Sequence, residues 1–528
     1  MKIGTWARTR RSWPALALLG FAAATATTAA QAAPAPAAVA GSALPGWAFA
    51  GQNLSDTHFA AAEHTIGPRN VARLTQRWVF TAGGSVSATP TVVRGVVYVP
   101  DWGGNLWAVR AATGRAIWSR RIADYTGVDG DISRLTPAYW HGELVTGDGA
   151  LNSSVTKGAY MFAVDARTGA LRWRTKVDSD PAAIVTSSAV VADGIVYAGV
   201  SSNAEAASAV PTFRGSVIAL DARTGRMLWK TYTVPEGYTG GAVWSSTAVV
   251  DHKTGLLYVS TGNNYTTPAG VCGMPDETGC TPPPASNHID SVLALGLRSG
   301  AIVWSRPTLT ADTWTVAQRF GPDFDFGAGP NLFTTTINGR STDVLGVGQK
   351  SGVYWLLNPV DGAIIWATAI GPGGPLGGIE WGTATDGKRI YASIGNWAQL
   401  PYTLKGSGPY AGRTVTGGSW TALDAATGKI IWQTPDPQGD FVDDSMISAA
   451  NGVVYAGSWA PSGTNMYALD ARTGAVTWAF ASGGAVAGGP AIVDGTLYWG
   501  SGYHTETFRP PLGYDGENNK LYAFSLPR

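Results

Sequence analysis

The chain has 528 residues, of which 69 are glycine and 22 are tryptophan, and only 14% are charged. This composition is typical of a turn-rich all-β protein with tryptophan packing, and it excludes extensive disorder. The net charge is +1 and falls to about −3 without residues 1–32, which carry four basic and no acidic side chains, so the sequence predicts no nucleic-acid partner.

Residues 1–32 have the features of an export signal peptide. Four basic residues precede an apolar stretch from Ala15 to Ala24, and Ala30-Gln-Ala32 is a small-residue cleavage site. The segment Thr9–Trp13 fits a twin-arginine signal as well as an ordinary secretory one. Residues 33–45 are predicted to be a flexible Ala/Pro leader, and no run elsewhere is long enough to span a membrane. We therefore predict a secreted or periplasmic, cell-envelope protein.

The remainder, residues 46–528, is organised by a repeat. An apolar strand leads into Asp-Ala-Arg-Thr-Gly, and a tryptophan follows after three more residues, as in Val217–Trp229 and Met466–Trp478. The alternating apolar residues predict a half-buried strand, and Thr-Gly predicts a tight turn. Further copies, with spacings of 46 to 75 residues, end at Trp118, Trp173, Trp304, Trp366 and Trp432. Seven copies predict a ring or a stacked array.

An eighth copy is split between the ends of the chain. Lys520–Phe524 supplies the strand before the turn, and Arg77–Phe80 supplies the tryptophan-bearing strand. Pairing them would close a ring and hide both sheet edges, whereas a solenoid should carry capping repeats. We predict an all-β fold, an eight-bladed β-propeller with tryptophan docking, closed by N- and C-terminal strands. Residues 47–74 carry no repeat and are expected to cross one face of the ring.

The longest departure from the repeat is an inserted loop at residues 265–288. It contains Cys272 and Cys280, the two cysteines of the chain. In an exported protein this pair predicts a local disulfide; metal binding is disfavoured because no histidine or third sulfur accompanies it. The sequence has no Cys-x-x-Cys-His motif and no dinucleotide-binding glycine fingerprint, which predicts neither covalent haem nor a nicotinamide cofactor.

Four further stretches place polar residues where a propeller does not need them. They are Val200–Glu205, Trp244–Asn263, Gly321–Pro330 and Val347–Gly352. Singly, each has an ordinary explanation: Glu205 in a solvated loop, Asn263 in a turn, Asp323 as a cap and Lys350 as a surface charge. Converging on one channel, their oxygen atoms could bind a hard cation.

Together with the repeat, these stretches resemble the pyrroloquinoline quinone (PQQ)-dependent, or quinoprotein, alcohol dehydrogenases. The resemblance covers nearly all of the chain after residue 45 and is strongest to the secreted polyvinyl-alcohol dehydrogenase group. The segments that carry it are Asp101–Leu106, Thr212–Ser216, Gly321–Gly327 and Gly378–Gly382. It implies an enzyme that oxidises polyvinyl alcohol or another secondary alcohol to a carbonyl. In such enzymes hydride passes to the quinone, a calcium-like ion acts as Lewis acid and an aspartate acts as base.

The resemblance also implies roles for individual residues. Glu205 and Asn263 match metal ligands, Trp244 matches the tryptophan that stacks on the quinone, and Lys350 matches the basic residue at its reactive carbonyl. The base is Asp323 or Asp325; Asp323 is favoured by its spacing to Pro330 and Leu332. Asp323 and Asp325 are both expected to ligate the metal as well, and Asp325 would favour a larger or more highly charged ion. Weaker cofactor contacts are Arg134, Thr136, Thr186, Glu380 and Trp381.

Two departures from the family pattern matter. The adjacent cysteines that often cover the quinone are absent, and so is a fused haem domain, which implies a separate electron acceptor. The alternative function is therefore a non-catalytic exported β-propeller scaffold that binds protein partners. The enzyme is favoured because a scaffold has no need for Glu205, Asn263, Asp323 and Lys350 together.

Overall fold

The computed structural model describes residues 46–149, 158–207, 210–503 and 516–527; the predicted export signal and leader lie outside them. In this part of the chain, eight four-stranded antiparallel sheets follow one another, and a short extra strand joins the first and the third. This confirms the predicted eight-bladed propeller. None of the described helices has the length and apolar character needed to cross a membrane.

The strands of the first four blades, from the axis outwards, have the following bounds. Blade 1 has Thr91–Val93, Val96–Pro100, Asn105–Arg110 and Ala116–Arg121, with Gly46–Trp47 added at its inner edge; blade 2 has Ala138–Trp140, Glu143–Gly147, Ala159–Asp165 and Leu171–Asp178. Blade 3 has Val190–Ala192, Ile195–Ser202, Ser216–Asp221 and Met227–Tyr232, with Ala183–Ile184 beside its second strand; blade 4 has Val249–Asp251, Leu256–Ser260, Ser291–Gly296 and Ile302–Pro307.

The remaining blades follow the same order. Blade 5 has Asn331–Ile337, Arg340–Gly348, Val353–Leu357 and Ile364–Ala369; blade 6 has Ala384–Thr385, Arg389–Ile394, Ser419–Asp424 and Ile430–Pro435. Blade 7 has Ser448–Ala450, Val453–Gly457, Met466–Asp470 and Val476–Phe480; blade 8 has Ala491–Val493, Thr496–Ser501, Lys520–Ser525 and Thr75–Thr81. Two small ribbons pair Thr239–Gly240 with Asn264–Thr266 and Tyr402–Thr403 with Thr414–Val415. Helical turns occur at Val71–Arg73, Ile122–Thr126 and Ala204–Ala207.

The repeat tryptophans join each blade to the next. The indole Nε1 of Trp173 in blade 2 donates to the carbonyl of Ala222 in blade 3 at 2.7 Å. Its ring lies against Gly225 of the Thr-Gly turn, where φ is +71° and a Cβ would meet the ring at 2.4 Å. The turn therefore requires glycine both for its backbone conformation and for the close approach of the indole. Six other repeat tryptophans make the equivalent bond into the following blade. Trp478 of blade 7 donates instead to the carbonyl of Leu74, just before the closing strand of blade 8, at 3.1 Å.

The ring closes as the split repeat predicts. Thr75–Thr81 pairs antiparallel with Lys520–Ser525, with Trp78 opposite Ala523. The indole of Trp78 then donates to the carbonyl of Ala111 in blade 1 at 2.9 Å. Both ends of the sheet array are thus paired, which leaves no open blade edge at the closure.

Residues 48–60, here called the central segment, lie in the channel and do not simply cross one face. Their backbone carbonyls accept hydrogen bonds at 2.9 to 3.0 Å from the inner strands of five blades. The donors are the N–H groups of Tyr139, Val250, Leu332, Thr385 and Ala449. Inner strands present unpaired N–H groups to the axis, so the central segment satisfies donors that would otherwise be orphaned.

The central segment also buries an acid and an imidazole. Asp56 and His58 are each 1% exposed, and His58 Nε2 lies 3.3 Å from Asp56 Oδ1. Burial raises the pKa of Asp56, and the neighbouring His58 opposes that rise. The one carboxylate of the central segment therefore has an imidazole close to it.

Candidate active site

A cavity of about 540 Å³ lies on the ring axis. Six of its lining residues lie three to eight positions before the start of an inner strand: Arg134, Thr186, Trp244, Asp323, Trp381 and Asp444. A few residues later, the inner strands of blades 2, 4, 5, 6 and 7 hydrogen-bond to the central segment. The inner strands therefore run from the cavity towards the central segment.

Most of the residues predicted from sequence meet in this cavity. Its lining includes Arg134, Thr186, Glu205, Trp244, Asp323, Lys350, Glu380 and Trp381. Asn263 and Asp325 lie directly behind the wall, because Asp325 contacts both Trp244 and Asn263. Thr136 is placed differently: its hydroxyl donates to the carbonyl of Thr89 at 2.8 Å, and it lines a neighbouring cavity of about 50 Å³.

Three carboxylates converge at the base of the cavity. One oxygen from each of Glu205, Asp323 and Asp325 lies within 4.8 Å of the others. The Lys350 ammonium is 3.2 Å from both oxygens of Asp323 and 3.4 Å from Asp325 Oδ2. Among the described residues, Glu205 Oε1 is buried without a hydrogen-bond partner. Three carboxylates around one ammonium leave an excess of negative charge, which a bound cation would compensate.

The two aspartates have different surroundings. Asp325 Oδ2 accepts the indole N–H of Trp244 at 2.7 Å, and its Oδ1 accepts the backbone N–H of Asn263 at 2.7 Å. Asp323 faces the cavity, and its carboxylate accepts hydrogen bonds from Lys350. Asp325 therefore holds the wall together, while Asp323 is presented to a ligand.

Residues two apart on a strand share a face, but strand alternation does not explain why the Asp323 and Asp325 carboxylates lie on one side. Residues 321–330 precede the inner strand of blade 5 and are themselves irregular. Asp323 has a φ of +57°, in the left-handed region. This local turn of the backbone brings the Asp323 side chain towards Asp325.

Burial of these groups perturbs their titration. The pKa of Glu205 rises to about 8 because burial disfavours its charged form; Asp325 adds to the rise and Lys350 opposes it. Burial likewise raises the pKa of Asp323 well above its usual value, against the opposing effect of Lys350. For Lys350, burial acts to lower the pKa, but Asp323, Asp325, Glu380 and Glu205 together hold it well above the ordinary value. The cluster therefore retains its ammonium while resisting full ionisation of its acids.

The position of Lys350 is fixed by its backbone. Its N–H donates to the carbonyl of Asp325 at 2.9 Å, and its carbonyl accepts the N–H of Gly374 at 3.1 Å. Gly378, with φ of +82°, packs so closely that a Cβ there would lie 2.0 Å from the Lys350 carbonyl. The glycine-rich segment 371–378 thus closes over Lys350, and the Lys350 ammonium lies 5.0 Å from the centre of the Trp244 ring.

An aromatic and cationic wall lies beside the carboxylates. The Arg134 guanidinium is 5.4 Å from the centre of the Trp381 ring and donates to the Tyr503 hydroxyl at 2.8 Å. Trp381 in turn meets Trp244 edge to face at 5.9 Å. Flat rings next to fixed positive charge suit a planar anionic ligand.

Sequence reasoning missed several residues of the cavity. Asp444 precedes the inner strand of blade 7 just as Trp381 precedes that of blade 6, and Trp397, Trp459 and Tyr503 each follow a second strand by two or three residues, as Lys350 does. These two recurring positions in each blade were the available signal. Asp312, which contacts the Asp323 backbone, had no signal of this kind.

Comparison with known proteins agrees with this arrangement. The family model described as "PQQ: Glucose/ethanol/alcohol dehydrogenase, beta-propeller domain" matches residues 47–371. The chain is 32% identical over 511 residues to polyvinylalcohol dehydrogenase of Sphingopyxis sp. (strain 113P3), covering 87% of this chain and 73% of that protein. The chain belongs to the PQQ-dependent alcohol dehydrogenase family. The predicted family and its oxidoreductase class are confirmed.

Other members of the PQQ-dependent alcohol dehydrogenase family are also similar. Polyvinylalcohol dehydrogenase of Pseudomonas sp. is 30% identical over 516 residues, covering 87% of this chain and 73% of that protein. The solved quinohemoprotein alcohol dehydrogenase ADHIIG of Pseudomonas putida HK5 superposes with a TM-score of 0.71 at 20% identity, over 91% of this chain and 80% of that chain. A model described as outer membrane protein assembly factor BamB matches residues 349–502 and 416–525.

Proposed function

We propose that this enzyme oxidises secondary alcohols of the polyvinyl alcohol type to carbonyls, with Asp323 as the base. The observation that carries the proposal is the cluster of Glu205, Asp323 and Asp325, of which Asp323 faces the cavity beside Lys350. Family membership supports alcohol oxidation with PQQ, and the polyvinylalcohol dehydrogenase relatives support the substrate class.

The residues of the site fit a hard cation. Glu205 Oε1 has no hydrogen-bond partner within the described chain, and Asp323 and Asp325 add charged oxygens within 4.8 Å. The amide nitrogen of Asn263 donates to the carbonyls of Asn264 and Trp314 at 3.0 and 2.9 Å, which leaves its oxygen as the ligand atom. Oxygen donors alone suit calcium, and coordination by Asp325 as well would favour a larger or more highly charged ion.

The quinone would lie in the cavity against Trp244, with Lys350 and Arg134 as its cationic contacts. Thr186 and Glu380 also face this space, and each has a buried oxygen without a hydrogen-bond partner among the described residues. Orphaned polar atoms aimed at a cavity are expected where a polar ligand completes their hydrogen bonding. Thr136, placed in the smaller cavity, has no such part in this proposal.

The residues of the cluster have separate roles in the proposed reaction. When bound, the quinone supplies the acceptor of the hydride, and the cation supplies Lewis acidity and a positive charge that keeps Asp323 ionised. Asp323 takes the hydroxyl proton of the alcohol as general base. Lys350 would donate a hydrogen bond to the reacting oxygen nearest to its ammonium and so stabilise the negative charge that develops on that oxygen. Trp244, held by Asp325, keeps one wall flat and fixed.

The cellular setting is part of the same proposal. The features of residues 1–32 support export, and the bond between Cys272 and Cys280 is of the kind that persists in oxidising compartments. Electrons would then leave the reduced site to a separate acceptor outside the cytoplasm. Cell fractionation tests export: the mature chain should be found outside the cytoplasm. A chain that remains inside the cytoplasm would contradict this part of the proposal.

The central test reconstitutes purified protein with PQQ and calcium and follows alcohol-dependent dye reduction. A 1,3-diol such as 2,4-pentanediol represents the polymer repeat. Asp323→Asn should retain bound quinone, measured by absorbance after gel filtration, and lose turnover by about 10²–10⁴-fold. The exposed Asp361→Asn serves as control. An active Asp323→Asn beside an inactive Asp325→Asn would reverse the assignment, and a wild-type protein that oxidises no alcohol would refute the proposal.

A further inference from the structure

Asp312 lies behind the cavity wall and is fully buried. Its Oδ1 accepts the backbone N–H of Asp323 at 3.2 Å, and its Oδ2 accepts the backbone N–H of Phe324 at 2.9 Å. One carboxylate therefore holds two consecutive amides of the segment that carries the proposed base. Hydrogen bonds to an ionised acceptor are roughly twice as strong as neutral ones.

The segment needs such an anchor. Asp323 is in the left-handed region, which residues other than glycine adopt less readily, and it lies outside the strands of blade 5. The anchor is closely enclosed, because a Cβ at Gly321 would lie 1.9 Å from Asp312 Oδ1. A longer side chain at position 312 would not fit this space.

The same residue is tied to the opposite side of the carboxylate cluster. The Asp312 carbonyl accepts the N–H of Asn264 at 2.9 Å, and the Trp314 N–H donates to the Asn264 carbonyl at 2.9 Å. The Asn263 amide donates to the Trp314 carbonyl at 2.9 Å. Asp312 thus joins the backbone beside Asn263 to the backbone of Asp323.

We propose that Asp312 is a positioning residue that fixes Asp323 towards the alcohol and at a set distance from Asn263. This inference rests on the proposed function, in which Asp323 is the base. Asp312 acts through two backbone amides and touches neither substrate nor cofactor. A misplacement of about 1 Å in a reacting group can lower a rate by roughly 10²-fold, so loss of this anchor should act on turnover more than on binding.

The test compares Asp312→Asn with wild type after loading with quinone and calcium. Asparagine keeps one acceptor and turns an N–H₂ group towards the other amide. Turnover per bound quinone should fall by roughly 10²-fold, while KM changes by less than about threefold. A purely structural role would lower the melting temperature and the amount of bound quinone but leave turnover per bound quinone unchanged.

A second measurement needs no cofactor. Hydrogen–deuterium exchange of metal-free protein, read by mass spectrometry on a peptide covering residues 321–328, should be at least about tenfold faster in Asp312→Asn. Asp290→Asn is the matched control, since it removes a buried carboxylate nearby whose two oxygens have no hydrogen-bond partner in the described chain. It should leave exchange of this peptide unchanged.

The outcomes separate the inference from the proposed function. Normal turnover per bound quinone in Asp312→Asn, with Asp323→Asn inactive, overturns the positioning role and leaves the base assignment standing. Normal turnover in Asp323→Asn overturns both. Should Asp312→Asn not fold, wild-type exchange still decides: amides of Asp323 and Phe324 that exchange as fast as exposed ones refute the anchor.

Discussion

The central segment and the cavity differ in how their buried carboxylates are surrounded. In the central segment, Asp56 has His58 as a neighbour at 3.3 Å, and the backbone carbonyls bond to inner strands of five blades. At the cavity, Glu205, Asp323 and Asp325 share one ammonium. The single carboxylate of the central segment thus has an imidazole beside it, although Asp56 Oδ1 and His58 Nδ1 have no hydrogen-bond partner among the described residues. The excess of carboxylate at the cavity is best explained by function, because stability alone does not favour it.

The largest expected effect comes from neutralising that excess. Glu205→Gln should weaken calcium affinity by at least about 100-fold, because in the proposed site it removes a charged ligand. In metal-free protein the same change should raise the melting temperature, since it removes an acid whose ionised form is disfavoured by burial and by Asp325. Calorimetric titration and thermal unfolding check the two parts. The exposed Glu236→Gln is the control, and a metal-free variant less stable than wild type would contradict the comparison.

The central segment should respond with the opposite sign. His58→Ala leaves Asp56 buried without its imidazole, so the free energy of unfolding should fall by about 1–3 kcal/mol. Turnover per bound quinone should not change, because neither residue lines the cavity. Denaturant unfolding and dye reduction measure the two effects, with the exposed His252→Ala as control. Loss of turnover without loss of stability would show that the two regions are not separate.

A smaller effect is expected from pH. The pKa of Glu205 is about 8 in the folded, metal-free protein and 4.5 in its ordinary environment, so folding takes up a proton between these values. The free energy of unfolding of metal-free protein should therefore fall as pH rises from about 4.5 to 8, and less steeply in Glu205→Gln. Saturating calcium should remove the difference. If the free energy of unfolding had the same pH dependence in wild type and Glu205→Gln, the proton taken up on folding would belong to another group.

These differences also explain what could be predicted from sequence. The blades could be predicted because each is encoded by a local repeat. The ring closure could be predicted because the C-terminal half-repeat lacks the tryptophan-bearing strand, which the segment around Trp78 supplies. Glu205, Trp244, Asp323 and Lys350 were predicted as site residues through family motifs, and they line the cavity. The central segment was not, because its partners come from inner strands of five blades and its own residues have no period.

Asp312 shows the same limit at the scale of one side chain. Its partners are the amides of Asp323 and Phe324, which any residue pair would supply, so its contact leaves no trace in the side-chain pattern. Asp444 was within reach of prediction, because it precedes an inner strand as Trp244 and Trp381 do. Positions that recur in every blade are readable from sequence, whereas bonds to backbone are not.

The two strands that close the ring are synthesised at very different times. Thr75 and Ser525, which hydrogen-bond in the finished ring, are 450 residues apart in the chain. At translation rates of about 5–20 residues per second, the strand Thr75–Thr81 waits roughly 20 to 90 s for its partner. During that interval its edge is open to pairing with other chains. The yield of folded enzyme should therefore depend on how well the cell shields a nascent chain that has its first closing strand but not its last.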